Sequence, residues 1–313
     1  MAPLSRLRHQ QQLAEGPSLA GFSGPATRRG VLGLGIAASV WLWGKRGRAA
    51  KSPSAQGPAW AVFYGAAAEP DAFTGIETVI LDPGFLGSIA EIAKLGSTPY
   101  GYLSLGEIKK SGPWFPHLSG GNVLLDENRS WPGTFTVDVR KDAWRKLMLE
   151  QAVPRLLAQG FQGIFLDTLD TPPYLEQLDA VRYGGMHAAA VALVRDIRRA
   201  FPDVPLIMNR GYALLPELAG AVDAIVAESL LTTYDFASKS YKWVPDKELK
   251  AQIRLLRPAL SRTGSPLRIL SLDYWDPADS QTIRDIYRRE RELGHAPYVA
   301  TILLDQVVRE PAA

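Results

Sequence analysis

From Trp60 onward, short apolar runs alternate with amphipathic stretches. Eight runs read as strands: Trp60–Tyr64, Thr78–Leu81, Tyr100–Leu105, Gly163–Leu166, Pro205–Met208, Ala224–Ala227, Arg268–Leu272 and Pro297–Ile302. Most of them lack polar alternation, as expected for strands buried on both faces of a parallel sheet. Helical spacing appears over Gly87–Leu95, Lys141–Gln159, Gly185–Phe201, Leu214–Ala219, Asp246–Ser261 and Asp279–Leu293. In the third of these, Ala189, Leu193, Ile197 and Phe201 recur every four residues and mark one apolar stripe. Eight β/α units in about 245 residues predict a (β/α)8 TIM barrel in an α/β fold. The rival, a doubly wound open sheet, wants a glycine-rich turn after its first strand. Here Tyr64-Gly65-Ala66 runs into further alanines.

Two segments break the rhythm. Residues 108–140 form a long insertion with Trp114, Phe115 and Trp131, read as a loop that walls a binding groove. Residues 1–58 read as a leader and linker, leaving 59–313 as the barrel domain. In the leader, Arg28-Arg29 precedes an apolar run from Val31 to Trp43, which suggests an export signal of the twin-arginine type. The run is short for a spanning helix. Lys45, Arg46, Arg48 and Lys51 follow it without a clean cleavage site. The leader is therefore read as either cut, or kept as a membrane tether through residues 30–44. A periplasmic or secreted location, with or without an inner-membrane anchor, is the expectation.

Charge sharpens this division. The 313-residue chain carries +3, but residues 1–51 hold eight basic side chains against Glu15 alone, or +7. The rest is left at −4, the difference of those two figures. An acidic body is a poor nucleic-acid partner. There is no cysteine, which removes thiolate metal sites and a cysteine nucleophile.

Barrel enzymes place their chemistry at the C-terminal ends of strands. Those ends read Tyr64, Asp82, Glu107, Asp167 with Asp170, Asn209-Arg210, Glu228 and Asp273-Tyr274. Acids at five of eight ends are hard to explain as helix caps alone, since a buried unpaired acid is costly. Glycoside cleavage needs two carboxyl groups about one bond, one protonated and one ionised. Transition-metal hydrolysis usually wants histidine ligands. His9, His117, His187 and His295 all miss the strand ends. No metal or cofactor is expected, although an all-oxygen Mg²⁺ or Ca²⁺ site is compatible with the composition. Two other classes stay open: an idle polysaccharide-binding barrel, and a barrel hydrolase of different chemistry.

The segments Gly101-Tyr-Leu-Ser-Leu-Gly-Glu107, Gly163-Ile-Phe-Leu-Asp-Thr-Leu-Asp170, Asn209-Arg-Gly211, Ala227-Glu-Ser229 and Leu272-Asp-Tyr274 resemble glycoside hydrolase family 114, the endo-α-1,4-polygalactosaminidases. The likeness covers about residues 60–303. It implies an endo-acting hydrolase of α-1,4-linked galactosamine or N-acetylgalactosamine chains, an amino-sugar polysaccharide. It also implies that Asp167 and Glu228 are the catalytic pair. On chemical grounds Asp167 suits the nucleophile and Glu228 the general acid/base; retention of configuration is the expectation because a nucleophile on strand four with an acid/base on strand six resembles other retaining α-glycosidase barrels. Asp170 and Asp273 are candidate ligands for sugar hydroxyls or an ammonium, and Asp82 and Asn209 are further candidate sugar ligands. Glu107 is read as tuning the pair by like-charge repulsion or as pairing with Arg210. Arg210 would orient a carboxylate. Tyr64, Tyr102 and Tyr274 either stack on sugar faces or fill the rim. Trp243 is read as a platform on a mobile loop.

Overall fold

The computed structural model describes residues 60–128, 132–218, 220–260 and 267–312. The expectations about the leader, and about Trp131, lie outside the described residues. The strands are β1 (Trp60–Phe63), β2 (Thr78–Leu81), β3 (Thr98–Ser104), β4 (Glu107–Lys109), β5 (Leu124–Glu127), β6 (Thr134–Val137), β7 (Gly163–Asp167), β8 (Leu206–Asn209), β9 (Ala224–Glu228), β10 (Thr232–Asp235), β11 (Ser240–Trp243), β12 (Arg268–Tyr274) and β13 (Ala296–Ala300). The helices are α1 (Ile89–Lys94), α2 (Phe115–Leu118), α3 (Asp142–Leu147), α4 (Val153–Ala158), α5 (Thr171–Leu178), α6 (Ala180–Tyr183), α7 (Met186–Ala200), α8 (Leu215–Leu218), α9 (Asp246–Leu260) and α10 (Ser280–Glu292).

Eight strands lie in one parallel sheet in the order β1-β2-β3-β7-β8-β9-β12-β13. The seam between first and last is nearly closed. There the Trp60 indole N–H donates to the Ala296 carbonyl at 2.8 Å, and the Tyr64 amide to that of Leu304 at 2.6 Å. This is the (β/α)8 barrel that the apolar runs predict. Every residue of β1, β7, β8 and β9 is buried, which is why those strands lack polar alternation.

Local chemistry sets the helix ends. The Ser88 hydroxyl caps α1 by accepting from the Glu91 amide, and the Asp279 carboxylate caps α10 by accepting from that of Thr282. Gly96, Gly160 and Gly294 follow the ends of α1, α4 and α10 with φ of 84–98°, the left-handed stop that only glycine adopts freely.

Three elements differ from the sequence reading. The predicted helix 141–159 is two helices joined by a π-helical turn, Met148–Ala152. Pro154 explains it: its ring clashes with an α-helical carbonyl four residues back and it lacks an N–H. The wider turn, in which the Val153 amide reaches the Met148 carbonyl, absorbs both defects. The insertion is not a loop but a three-stranded antiparallel sheet in the order β4-β6-β5. Likewise β10 and β11 form an antiparallel hairpin, with Trp243 paired opposite Thr232. Trp243 therefore belongs to a strand. It packs on Trp275 at 5.8 Å beneath the Arg289 guanidinium at 4.6 Å.

Candidate active site

Three neighbouring strands, β7, β8 and β9, end in Asp167, Asn209 and Glu228, each buried. The residue after each one, Thr168, Arg210 and Ser229, has a positive φ of 61°, 49° and 55°. A left-handed turn at a residue with a Cβ costs roughly 1–2 kcal/mol. Here it swings the chain off the strand immediately after the polar side chain. Such strain collects at functional sites. Thr168 is held in place by its hydroxyl, which donates to the Asp167 carbonyl at 2.7 Å and accepts from the Gly106 amide at 2.7 Å. A Cβ on Gly106 would sit 2.3 Å from the Thr168 carbonyl oxygen, so only glycine fits this approach.

The two carboxyl groups share one amide. Asn209 Nδ2 donates to Asp167 Oδ1 at 2.9 Å and to Glu228 Oε2 at 2.6 Å. Each acid also takes a phenol. Tyr102 on β3 donates to Asp167 Oδ2 at 2.7 Å, and Tyr274 on β12 donates to Glu228 Oε1 at 2.7 Å. Leu272 is in register with Glu228, which places Tyr274 one pleat further along the same strand face. The nearer oxygens of Asp167 and Glu228 can be no further apart than the two amide bonds laid end to end, 2.6 plus 2.9 Å, or about 5.5 Å.

Around this core stand most of the predicted residues. Tyr64 meets the Tyr102 ring edge-on at 5.7 Å and packs the rim. Asp82 accepts from the Gly84 amide at 2.8 Å, closing its own turn at the cavity edge. Arg210 lies 3.7 Å from Asp170, so Asp170 and not Glu107 is its ion-pair partner. Its guanidinium stays charged despite burial, because Asp170, Glu228 and Asp167 surround it.

Glu107 opens β4 on the inserted sheet and does not end a barrel strand. It is 6% exposed and accepts from Asn128 Nδ2 at 3.2 Å and from the Thr171 hydroxyl at 3.4 Å. Removal from water, and then the charges of Asp167 and Asp170, push its carboxyl up to about 8, against the partial opposition of Asn128 and Thr171. Glu107 therefore carries its proton at neutral pH. Burial is the larger cause, ahead of the like-charge repulsion that the sequence suggests. Sequence reasoning missed Asn128 and Thr171 because neither ends a strand.

Asp273 corrects the sequence reading. It is fully buried and turned away from the mouth, and its Oδ1 accepts from the Leu231 and Thr232 amides at 2.9 and 2.7 Å. Successive residues of a strand face opposite sides, so Tyr274 enters the site and Asp273 faces α10.

A cavity of about 370 Å³ opens beside Asp167. Its lining combines the acids Asp82, Glu107, Asp167 and Asp170 and the bases Lys109 and Arg155 with the apolar Trp114, Met148 and Leu156. Its size suits a small-ligand site. Among the described residues, no group of three or more acids and histidines is arranged to hold a metal ion, and no helix is long and apolar enough to cross a membrane.

The model of glycoside-hydrolase family GH114 matches residues 45–312. The chain belongs to that family. It is a glycoside hydrolase. Among solved structures, the glycoside hydrolase domain of PelA from Pseudomonas aeruginosa is 28% identical with a TM-score of 0.68, over 80% of this chain and 96% of that one. Ega3 of Aspergillus fumigatus, solved in complex with galactosamine, superposes with a TM-score of 0.58 over 84% and 98% of the two chains. At 15% identity that likeness is one of fold. A protein of Deinococcus radiodurans is 28% identical over 245 residues, 74% of this chain and 75% of its own length.

Proposed function

We propose that this hydrolase cleaves α-1,4-linked galactosamine chains internally and with retention, using Asp167 as nucleophile and Glu228 as general acid/base. The observation that carries the proposal is the Asn209 amide held between the two carboxyl groups. Retaining glycosidases keep their carboxyls ~5–5.5 Å apart, whereas inverting ones leave ~6.5–9.5 Å for a water. The upper bound of about 5.5 Å that Asn209 sets on the nearer oxygens supports the first class.

In the first step a carboxylate oxygen of Asp167 bonds to the anomeric carbon while Glu228 gives its proton to the departing glycosidic oxygen. In the second, Glu228 takes a proton from water as that water's oxygen displaces Asp167, which restores both groups. Tyr102 and Asn209 hold the nucleophile so that it faces the sugar without rotating. Tyr274 does the same for Glu228. Glu107, neutral at working pH, occupies the mouth without adding a third charge beside the pair.

The choice of substrate rests on the likeness to the PelA domain and on the sign of the cavity. Asp82, Asp167 and Asp170 line it with Lys109 and Arg155, so that acids still outnumber bases, and the carboxylates offer partners for the ammonium of an unacetylated amino sugar. A neutral sugar would gain nothing from that charge. Trp114 in the same lining offers a surface for a sugar face or an acetyl methyl.

The test is hydrolysis of α-1,4-polygalactosamine, partly and fully acetylated, followed by mass spectrometry of soluble products. Oligomers should appear before monomer. Asp167→Asn and Glu228→Gln should each lower kcat by several orders of magnitude, because each removes a group needed in the transition state. An amide is nearly isosteric with a carboxylate, so both variants should fold. Near-parental turnover from either folded variant would overturn the assignment. Polymer binding without new reducing ends would identify an idle barrel instead.

A further inference from the structure

Behind Glu228, on the face of β12 that looks away from the barrel axis, lies a second group of buried polar residues: Ser271, Asp273, Glu290 and His295. Asp273 and Glu290 are both wholly buried, the former on β12 and the latter on α10. Asp273 Oδ1 accepts three hydrogen bonds, from the Leu231 amide at 2.9 Å, the Thr232 amide at 2.7 Å and the Thr232 hydroxyl at 3.3 Å. Those donors are the third and fourth residues after Glu228, where the chain leaves the strained turn at Ser229 and enters β10.

The Asp273 carboxyl also interacts with that of Glu290. Two ionised carboxylates have no donor between them. Asp273 Oδ2 and Glu290 Oε1 are both buried without a hydrogen-bond partner when both acids are charged. One proton on Asp273 Oδ2 gives the pair the donor it lacks, directed at Glu290. The remaining Glu290 oxygen, Oε2, lies 2.6 Å from His295 Nδ1. Burial holds the imidazole down at about 4, so the ring is neutral and donates through Nδ1–H. Burial and the neighbouring Glu290 push the Asp273 carboxyl well above its usual range, in keeping with a protonated group.

We propose that Asp273 is a positioning residue: as a neutral acid clamped by Glu290 and His295, it pins the turn after Glu228 and so fixes both that carboxyl and the root of the β10–β11 hairpin. The role in turnover rests on the reading of Glu228 as acid/base; the clamp itself does not. Without the clamp, two buried amides would lose their acceptor. The left-handed turn at Ser229 would then be held by its amide bond to the Leu272 carbonyl at 2.8 Å and by the Gln252 side-chain amide, which donates to the Ser229 carbonyl at 3.3 Å.

An amide mimics a protonated acid here. In Asp273→Asn, Oδ1 still accepts from the backbone and Nδ2–H still donates to Glu290. The full chain is compared with Asp273→Asn, Asp273→Ala and Glu228→Gln by polymer hydrolysis and by amide hydrogen exchange over residues 229–235. Asp273→Ala is expected to lose at least about tenfold in kcat with KM unchanged, a barrier rise of about 1.4 kcal/mol or more. Its Leu231 and Thr232 amides should exchange fast. Asp273→Asn should restore both kcat and protection, and Glu228→Gln should keep the protection while losing turnover. Parental protection at Leu231 and Thr232 in Asp273→Ala would overturn the clamp, whatever happens to activity. A raised KM in Asp273→Asn would overturn it too, since that marks a charge needed by substrate. If Asp273→Ala does not fold, the Asp273→Asn result decides alone.

Discussion

Glu107→Gln separates a neutral acid from an ionised one. In the folded protein Glu107 titrates at about 8, against 4.5 for the same group in water. The native state therefore holds a proton that the unfolded chain releases. By linkage, the contribution of this proton to stability is fully present below pH ~4.5 and is lost as pH rises through the folded value, at ~1.4 kcal/mol per unit. Across the shift of 3.5 units, the difference between those two values, the ceiling is about 5 kcal/mol. Relaxation and water entry on ionisation reduce it, so a relative change of roughly 2–5 kcal/mol is expected. The glutamine of the variant has no proton to lose. The stability difference between the variant and the parent should therefore move in the variant's favour from pH 5 to pH 8, by roughly 2–3.5 kcal/mol, because part of the titration lies outside that interval. Glu290 is pushed up to about 7 and gives a slope of the same sign, but it is present in both proteins and cancels in the comparison. Urea unfolding at pH 5, 6.5 and 8 measures the difference. Parallel curves, with a gap that stays constant within about 0.5 kcal/mol, would refute a proton-carrying Glu107. Turnover at pH 6 should fall but stay measurable, because the group replaced is neutral there. If Glu107→Gln is as inactive as the worst variant, Glu107 is itself the acid/base.

Two further outcomes are expected. Tyr102→Phe and Tyr274→Phe each remove one phenol donor from a carboxyl of the proposed pair; each should lower kcat by about 10-fold, the value of one hydrogen bond, with KM little changed, and unaltered kcat in both would show that the phenols only fill the rim. Replacement of Arg28 and Arg29 together by lysine should leave folded protein in the cytoplasm if the leader uses the twin-arginine route, and cell fractionation that matches the parent would remove that route.

The barrel is legible in the sequence because its strands are buried on both faces, so each leaves an unbroken apolar run. Helix α5 is not, since Thr171-Pro172-Pro173 reads as a loop even though proline is well placed in a first helical turn. The β10–β11 hairpin is also hidden. It turns through Lys239 at a φ of 53°, without the glycine that usually signals such a turn. The insertion's strands are only three or four residues long and partly exposed, too short to show a period.

For the site, the rule that acids gather at strand ends recovers Asp167 and Glu228 but cannot separate Tyr274 from Asp273. On a strand buried on both sides, hydrophobicity carries no parity, so the sequence does not say which neighbour faces the axis. Packing decides it. Ser271 and Asp273 lie among Glu290 and His295 on the helix side, while Tyr274 reaches Glu228. The turn geometry is equally silent, because Thr168, Arg210 and Ser229 are not residues that announce a positive φ. Three such turns in a row cost a few kcal/mol together, and an ordinary fold would shed that strain by placing glycine there. Glycine would also free the chain to rotate. A β-branched threonine tied to Gly106, an arginine paired with Asp170, and a serine followed by the turn that Asp273 holds each allow one exit from the strand. On the proposed mechanism, the strain and the buried Asp273 cluster serve one requirement: two carboxyl groups must stay within a bond's reach of the same sugar carbon and oxygen while a polysaccharide moves past them.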